Sequence, residues 1–379
     1  MLRDAALVAL VVLVAACGAR SVGRGDAIDP LGPGRDQQPA VEVLSFSWKK
    51  VVHDRSSDYK PQEFASVAAT EKALYVGTHD GMFYALNPTD GAVFWKQPTG
   101  QVSSRALVDL PRIYVGTDEG TLVALDMSGR VLWRHAAKGS ILHPPVVVGD
   151  MLVFSDDADH VTALDRETGN WRWGYERETP EEFTMRGHAG AFSDGERVFA
   201  GFSDGYLVAL QASSGEAMWI HSLAGDEKRF VDVDTTPVLA GNLLLAASAA
   251  GGVHAVDPRD GAEKWRVPAK GVTGLSAGTD RIYLAAAEEG LLALDLRGNL
   301  LWRQGLKGAG DPATPQVVGP YLFLSTADRG LFIVDRNTGD LMQSFDPGPG
   351  VSAPPTVFGN RVYVLSNGGV LYSMSLHLP

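Results

Sequence analysis

The chain has 379 residues, 45% of them apolar, which is enough to bury one large core or two ordinary ones. Its net charge of −12 argues against a nucleic-acid partner, which needs a basic surface. A single cysteine, Cys17, excludes an internal disulfide and any cysteine-built metal cluster.

At the N-terminus, Met1-Leu2-Arg3 carries one positive side chain, and Ala5 to Ala15 form an apolar run. That run is shorter than the ~20 residues a bilayer span requires. It leads into Leu13-Val14-Ala15-Ala16-Cys17, which resembles a bacterial lipoprotein signal. The resemblance implies a signal peptide over 1–16 and a Cys17 acylated on sulfur as the mature N-terminus. The other reading of these residues is an ordinary signal peptide cut nearby, leaving a free thiol. Gly18 stands where inner-membrane retention would favour Asp, so the same resemblance implies the outer membrane. Residues 17–40, with Pro30, Pro33 and Pro39 among glycines and arginines, read as a tether.

From residue 41 the chain repeats. Five units read LYVGTHDGMFYALNPTDGAVFW (74–95), IYVGTDEGTLVALDMSGRVLW (113–133), VFAGFSDGYLVALQASSGEAMW (198–219), LLAASAAGGVHAVDPRDGAEKW (244–265) and IYLAAAEEGLLALDLRGNLLW (282–302). A looser unit covers 152–173, one without the tryptophan covers 322–343, and the last, 362–376, stops early. The residues ending the "ALD" element are Asn87, Asp126, Asp165, Gln211, Asp257, Asp295, Asp335 and Ser375, spaced 39, 39, 46, 46, 38, 40 and 40 apart. A fixed period of this size marks a propeller or solenoid. Each unit alternates short β-rich runs with Gly-containing turns, and a further strand such as Pro144 to Val148 precedes it. Four short strands per repeat, without helical periodicity, predict a blade. The fold expected is therefore all-β, an eight-bladed β-propeller of four-stranded antiparallel blades over 41–379. Val43 to Trp48 is an orphan strand ending in a tryptophan, and the last unit lacks both that strand and that residue. Joining them completes blade eight and removes two open sheet edges.

Catalytic motifs do not survive their context. Gly201-Phe202-Ser203-Asp204-Gly205 matches a nucleophile elbow, but it occupies the repeat position of GTHDG (77–81) and GTDEG (116–120) and precedes a hairpin rather than a helix. Asp232-Val233-Asp234-Thr235 fits a phosphatase pattern without its α/β setting. The acidic run Asp156-Asp157-Ala158-Asp159 lacks the Gly and terminal Glu of a calcium loop and reads as a solvated turn. Nine histidines lie scattered with no H-x-x-x-H pair, so no metal site is expected. The blade pattern also resembles the quinoprotein dehydrogenases, which are longer and carry an adjacent cysteine pair that this chain lacks. No catalytic residue, cofactor or enzyme activity is expected.

Departures from the period locate a binding face. Most connections from the Trp position to the middle of the next Y-V-G-type strand take 18–21 residues. Trp173 to Phe199 takes 26, Trp219 to Leu245 takes 26, and Trp48 to Tyr75 takes 27. The first two are consecutive and leave the same rim on adjacent blades, where repeat insertions build binding surfaces. One holds Phe183, Met185 and Arg186, the other Asp232 and Asp234. Aromatic, Met and Arg residues are enriched at interfaces. The same residues could instead pack the loops internally, with Arg186 stapled to Asp232 or Asp234.

The stretches FTMRG and VDVDTTPV resemble signature segments of the BamB family, lipoprotein scaffolds of the outer-membrane β-barrel assembly machinery. The resemblance spans the lipobox, tether, eight blades and both loops. It implies that Phe183, Met185, Arg186, Asp232 and Asp234 contact a periplasmic POTRA domain of BamA. It also implies an outer-membrane anchor at Cys17, a place in the assembly complex and contact with unfolded outer-membrane proteins. Phe183 and Met185 depart from the leucines usual in that family, which changes the packing expected there. The competing reading is a generic envelope propeller that binds peptidoglycan, a sugar or another envelope protein.

Overall fold

The computed structural model describes residues 42–55, 57–178, 189–224, 231–248 and 250–379. All regular structure among them is β: thirty-two strands in eight four-stranded antiparallel sheets arranged as a propeller. Seven blades are made of consecutive strands, within 68–98, 107–136, 146–176, 192–222, 238–267, 272–304 and 316–345. They are numbered 1 to 7 here. Blade 8 takes three strands from 356–376 and its outermost strand, Leu44–Val51, from the other end of the chain.

The expected closure is therefore present. Ser45 pairs with Ser375, Lys49 with Tyr372 and Val51 with Val370 in antiparallel register. Beyond the ladder, the His377 N–H donates to Val43 O at 2.8 Å.

Burial follows the strand order. The two middle strands of each blade are almost wholly buried, whereas outer strands such as Val131–Ala136 alternate between half-buried and exposed. The first strands approach those of neighbouring blades. Thr356 Oγ1 donates to Val67 O at 2.7 Å, and Thr273 Oγ1 to Pro312 O at 2.7 Å.

One contact recurs between blades. The indole N–H groups of Trp48, Trp95, Trp133, Trp173, Trp219, Trp265 and Trp302 donate to the carbonyls of Pro88, Met127, Glu167, Ala212, Pro258, Leu296 and Arg336. Each acceptor lies in the turn that follows the "ALD" element of the next blade. Such a bond contributes a net ~1 kcal/mol, and it spares a half-buried donor from going unpaired. On its own sheet each of these tryptophans from Trp95 onward faces an alanine: Ala85, Ala124, Ala163, Ala209, Ala255 and Ala293. The small residue makes room for the ring, which explains the recurring Ala. The turn glycine of the next blade closes over the indole. At Gly215, φ is +75° and a Cβ would lie 2.5 Å from the Trp173 ring, so both backbone and space demand glycine.

The "ALD" aspartates organise these turns. Asp126 Oδ1 accepts from the Ser128 N–H at 2.9 Å and the Arg130 N–H at 3.1 Å, while Oδ2 takes the Arg130 guanidinium at 3.0 Å. The Ser128 hydroxyl leads these donors, and together they hold the carboxyl down at about 2.

Candidate functional site

The connections from an outer strand to the next blade lie on the same rim as the hairpin turns between the two middle strands. The Gly205 carbonyl accepts the Leu223 N–H at 2.8 Å, and the Phe202 carbonyl accepts the Val233 N–H at 3.2 Å. Both long connections flanking blade 4 leave from this rim. Phe183, Met185 and Arg186 lie outside the described residues, as does Cys17; Asp232 and Asp234 are described.

The flanks of the two connections meet. The Gly190 N–H, just after the first, donates to Thr236 Oγ1 in the second at 3.0 Å. Ala189 and Val233 share one buried cluster with Phe199 and Trp219. Val233 packs so closely on Gly201 that a Cβ there would come within 2.3 Å of it. On the preceding side, Arg177 reaches Asp204 at 2.6 Å and lies over the Tyr206 ring at 4.6 Å. Burial pushes the Asp204 carboxyl up, against the pull of Arg177.

The second connection is pinned to blade 5. The Asp234 N–H donates to Ala247 O at 3.2 Å, Thr235 Oγ1 accepts the Ala247 N–H at 2.9 Å, and Val233 bridges to Ser248. Asp232 is buried and Asp234 half-buried. These carboxylates therefore sit in a fixed frame beside the end of the first connection.

The third long connection is built differently. Arg55 binds Glu63 at 3.1 Å, Asp58 at 2.8 Å and Gln62 O at 2.6 Å. The Glu63 N–H donates to Asn367 Oδ1 of blade 8. Burial raises the Glu63 carboxyl despite its partner Arg55.

Two sequence motifs resolve into structural roles. Ser203, the serine of the elbow-like motif, is buried, and its hydroxyl and N–H both donate to the Asp159 carboxylate of blade 3. The acidic run 156–159 is not the solvated turn expected of it. Asp156 and Asp159 are both about 99% buried. Asp156 accepts from the N–H groups of Lys138, Ala158 and His160. The run joins three blades because each buried carboxylate finds backbone donors on a neighbour.

One polar group was hidden in the sequence. His221 at the end of blade 4 meets His254 and Glu263 of blade 5, although the histidines are 33 residues apart. Burial lowers the pKa of both imidazoles. Their signal lies in the repeat. At the His254 position the other blades carry Tyr84, Val123, Thr162, Val208, Leu292, Phe332 and Tyr372, none of them charged; at the Glu263 position they carry Val93, Val131, Trp171, Ala217, Leu300, Leu341 and Phe46.

A family model described as outer membrane protein assembly factor BamB matches residues 79–298 and 288–377. The protein of that name from Shewanella oneidensis is 27% identical over 273 residues, covering 70% of this chain and 69% of the relative. Among solved structures, BamB from Moraxella catarrhalis superposes with a TM-score of 0.76 at 22% identity, covering 88% of this chain and 100% of that one. A quinohemoprotein alcohol dehydrogenase from Pseudomonas putida superposes at 0.64 with 16% identity, covering 88% and 76%. At such identities the two superpositions speak for the fold alone.

Proposed function

The chain belongs to the family of the outer membrane protein assembly factor BamB, and from that membership we propose that it is a non-enzymatic scaffold of outer-membrane β-barrel assembly. It binds a periplasmic POTRA domain of BamA through the rim around blade 4. Cys17 carries the lipid that holds it to the outer membrane, facing the periplasm, and unfolded outer-membrane proteins are candidate clients.

The observation that carries the reading is the junction of the two long connections, Gly190 on Thr236 and Ala189 beside Val233. It supports a single surface to which Arg186 contributes from one side and Asp232 and Asp234 from the other. Phe183 and Met185 supply the apolar anchors such a surface needs. The edge of a POTRA sheet could add to it by strand pairing. The non-enzymatic part rests on the family and on Ser203, whose hydroxyl is spent on Asp159 inside the blade seam.

The test is co-purification of BamA with the membrane-extracted chain, followed by binding of purified POTRA domains. Arg186→Ala, and Asp232→Ala with Asp234→Ala, should each weaken binding at least tenfold. Truncating one side of an interfacial charge pair costs about 2–5 kcal/mol. Tyr59→Ser, in the exposed part of the third connection, should leave binding unchanged. No BamA in the eluate overturns the proposal in favour of a generic envelope propeller, and full binding by folded Arg186→Ala protein overturns the assignment of the interface to the rim around blade 4.

A further inference from the structure

Where blade 4 meets blade 5, three potential ligand atoms converge. His221 Nε2 lies 3.5 Å from His254 Nδ1 and 3.4 Å from Glu263 Oε2, and His254 Nδ1 lies 2.9 Å from the same oxygen. The three come from three strands: Ala217–Ser222, Gly252–Val256 and Glu263–Val267. We propose that His221, His254 and Glu263 form a binding site for a divalent cation of the zinc class, stapling blade 4 to blade 5.

The geometry is that of a coordination face. A tetrahedral zinc ion with bonds of about 2.0–2.1 Å has ligand atoms about 3.3–3.4 Å apart. The observed edges of 2.9, 3.4 and 3.5 Å bracket that value. The ion would lie just outside the plane of the three atoms, and a water would complete the tetrahedron; Glu263, with a side chain 40% exposed, is the most accessible of the three ligands. Two imidazoles and one carboxylate suit zinc rather than magnesium or calcium, which prefer oxygen ligands.

Burial lowers both histidines, with the neighbouring His221 and Arg266 adding to the effect on His254 while Glu263 opposes it. His254 is 99% buried, and its Nε2 has no hydrogen-bond partner among the described residues. The Glu263 carboxylate 2.9 Å away holds the tautomer with its proton on Nδ1, and metal binding would have to displace that hydrogen bond and move the proton to Nε2, leaving the ring's charge unchanged. The missing acceptor at Nε2 and the open fourth position make this a weaker site than a closed four-ligand zinc centre.

The location gives the ion a purpose. His254 pairs across the sheet with Ala246, next to the Ala247 whose carbonyl receives the Asp234 N–H. His221 is the penultimate residue of the strand from which the second long connection departs. A cation here would stiffen both ends of that connection.

The experiment uses the mature chain without a polyhistidine tag, stripped with chelator and titrated with Zn²⁺ against a chromophoric competitor. One saturable site per chain is expected, and Co²⁺ substitution should give the intense visible bands of tetrahedral cobalt. His221→Gln, His254→Leu and Glu263→Val copy residues that stand at these positions in other blades: Gln97, Leu292 and Val93. Each should weaken zinc at least tenfold while far-ultraviolet dichroism stays unchanged. If His254→Leu fails to fold, the two more accessible positions decide. Absence of saturable binding overturns the proposal, as does binding that folded His221→Gln and Glu263→Val proteins retain, which would place the ion on surface carboxylates.

Discussion

Gln343 grips Leu44 by both ends of its amide, with Oε1 accepting the Leu44 N–H at 2.8 Å and Nε2 donating to the Leu44 carbonyl at 2.8 Å. The same Oε1 accepts the Val43 N–H at 2.9 Å. Gln343 occupies the place where other blades have their tryptophan, and Ile333 stands opposite where blades 1 to 6 have alanine. The exchange has a physical reason. Blade 8 has no turn between its last two strands, because the two ends of the fold meet there, so no turn carbonyl awaits an indole. Free backbone groups of the incoming strand take its place, and an amide satisfies both kinds.

Replacing this glutamine should therefore loosen the seam of the ring. Gln343→Ala strands the Val43 and Leu44 N–H groups in a half-buried setting, at a cost of about 1–3 kcal/mol. Urea denaturation should show that loss. Deleting residues 41–49 should do far more, exposing the edge of the Val370–Leu376 strand and lowering the stability of the whole domain. An unchanged midpoint in the deletion would show that the strand does not stabilise the ring in solution.

Two glycines with similar backbones should respond differently to a methyl group. Gly195 has φ +97° and nothing within 4 Å of where a Cβ would sit, so Gly195→Ala should cost only the backbone strain, about 1–2 kcal/mol. Gly215 has φ +75° and the Trp173 ring at 2.5 Å. Gly215→Ala should lose a further 1–3 kcal/mol, roughly, through overpacking. Equal thermal shifts for the two would mean that the turn can move off the indole.

The turn aspartates set a lower pH bound. Asp126 is held at about 2 against an ordinary 3.8, and Asp165 and Asp257 are lowered further by their arginine partners Arg172 and Arg259. A depressed carboxyl stabilises the fold above its unfolded pKa and loses that contribution as pH falls through the folded value. Stability from Asp126 should thus hold down to pH 3.8 and be lost between there and about 2. Asp126→Asn should flatten this part of the melting-temperature profile, and an unaltered slope would remove the aspartate from the account.

Membrane attachment is tested at one residue. Cys17→Ser should abolish incorporation of labelled palmitate and release the chain from the outer-membrane fraction, because acylation needs the sulfur. Retention in that fraction without lipid would assign anchoring to protein contacts.

The repeat made most of the fold legible. A 38- to 46-residue period with Ala-Leu-Asp and Trp at fixed places encodes blade, turn and inter-blade contact together, and the surplus strand ahead of Trp48 revealed the closure. What escaped were groupings made by the ring rather than by the chain. Asp159 reads as a surface acid until blade 4 brings Ser203 against it. His221 and His254 look isolated because their neighbourhood spans a blade seam, where nearness in space bears no relation to spacing in sequence. Insertion length located both connections flanking blade 4. It could not show that Gly190 and Thr236 join them.

The meeting of the chain ends also imposes an order on biogenesis. Ser47 is among the first residues of the domain to be synthesised and Ser375 among the last, yet their hydroxyls sit 2.9 Å apart. Until the final strand is made, the opening strand has no sheet to join, and the growing molecule is an open arc with unpaired edges at both ends. Nonlocal pairings of this kind reward the chain only after the long intervening loop has been closed. Early arrest of synthesis should therefore yield a fragment that is sticky rather than merely shorter, and full protection from edge-to-edge association arrives only with the last few residues.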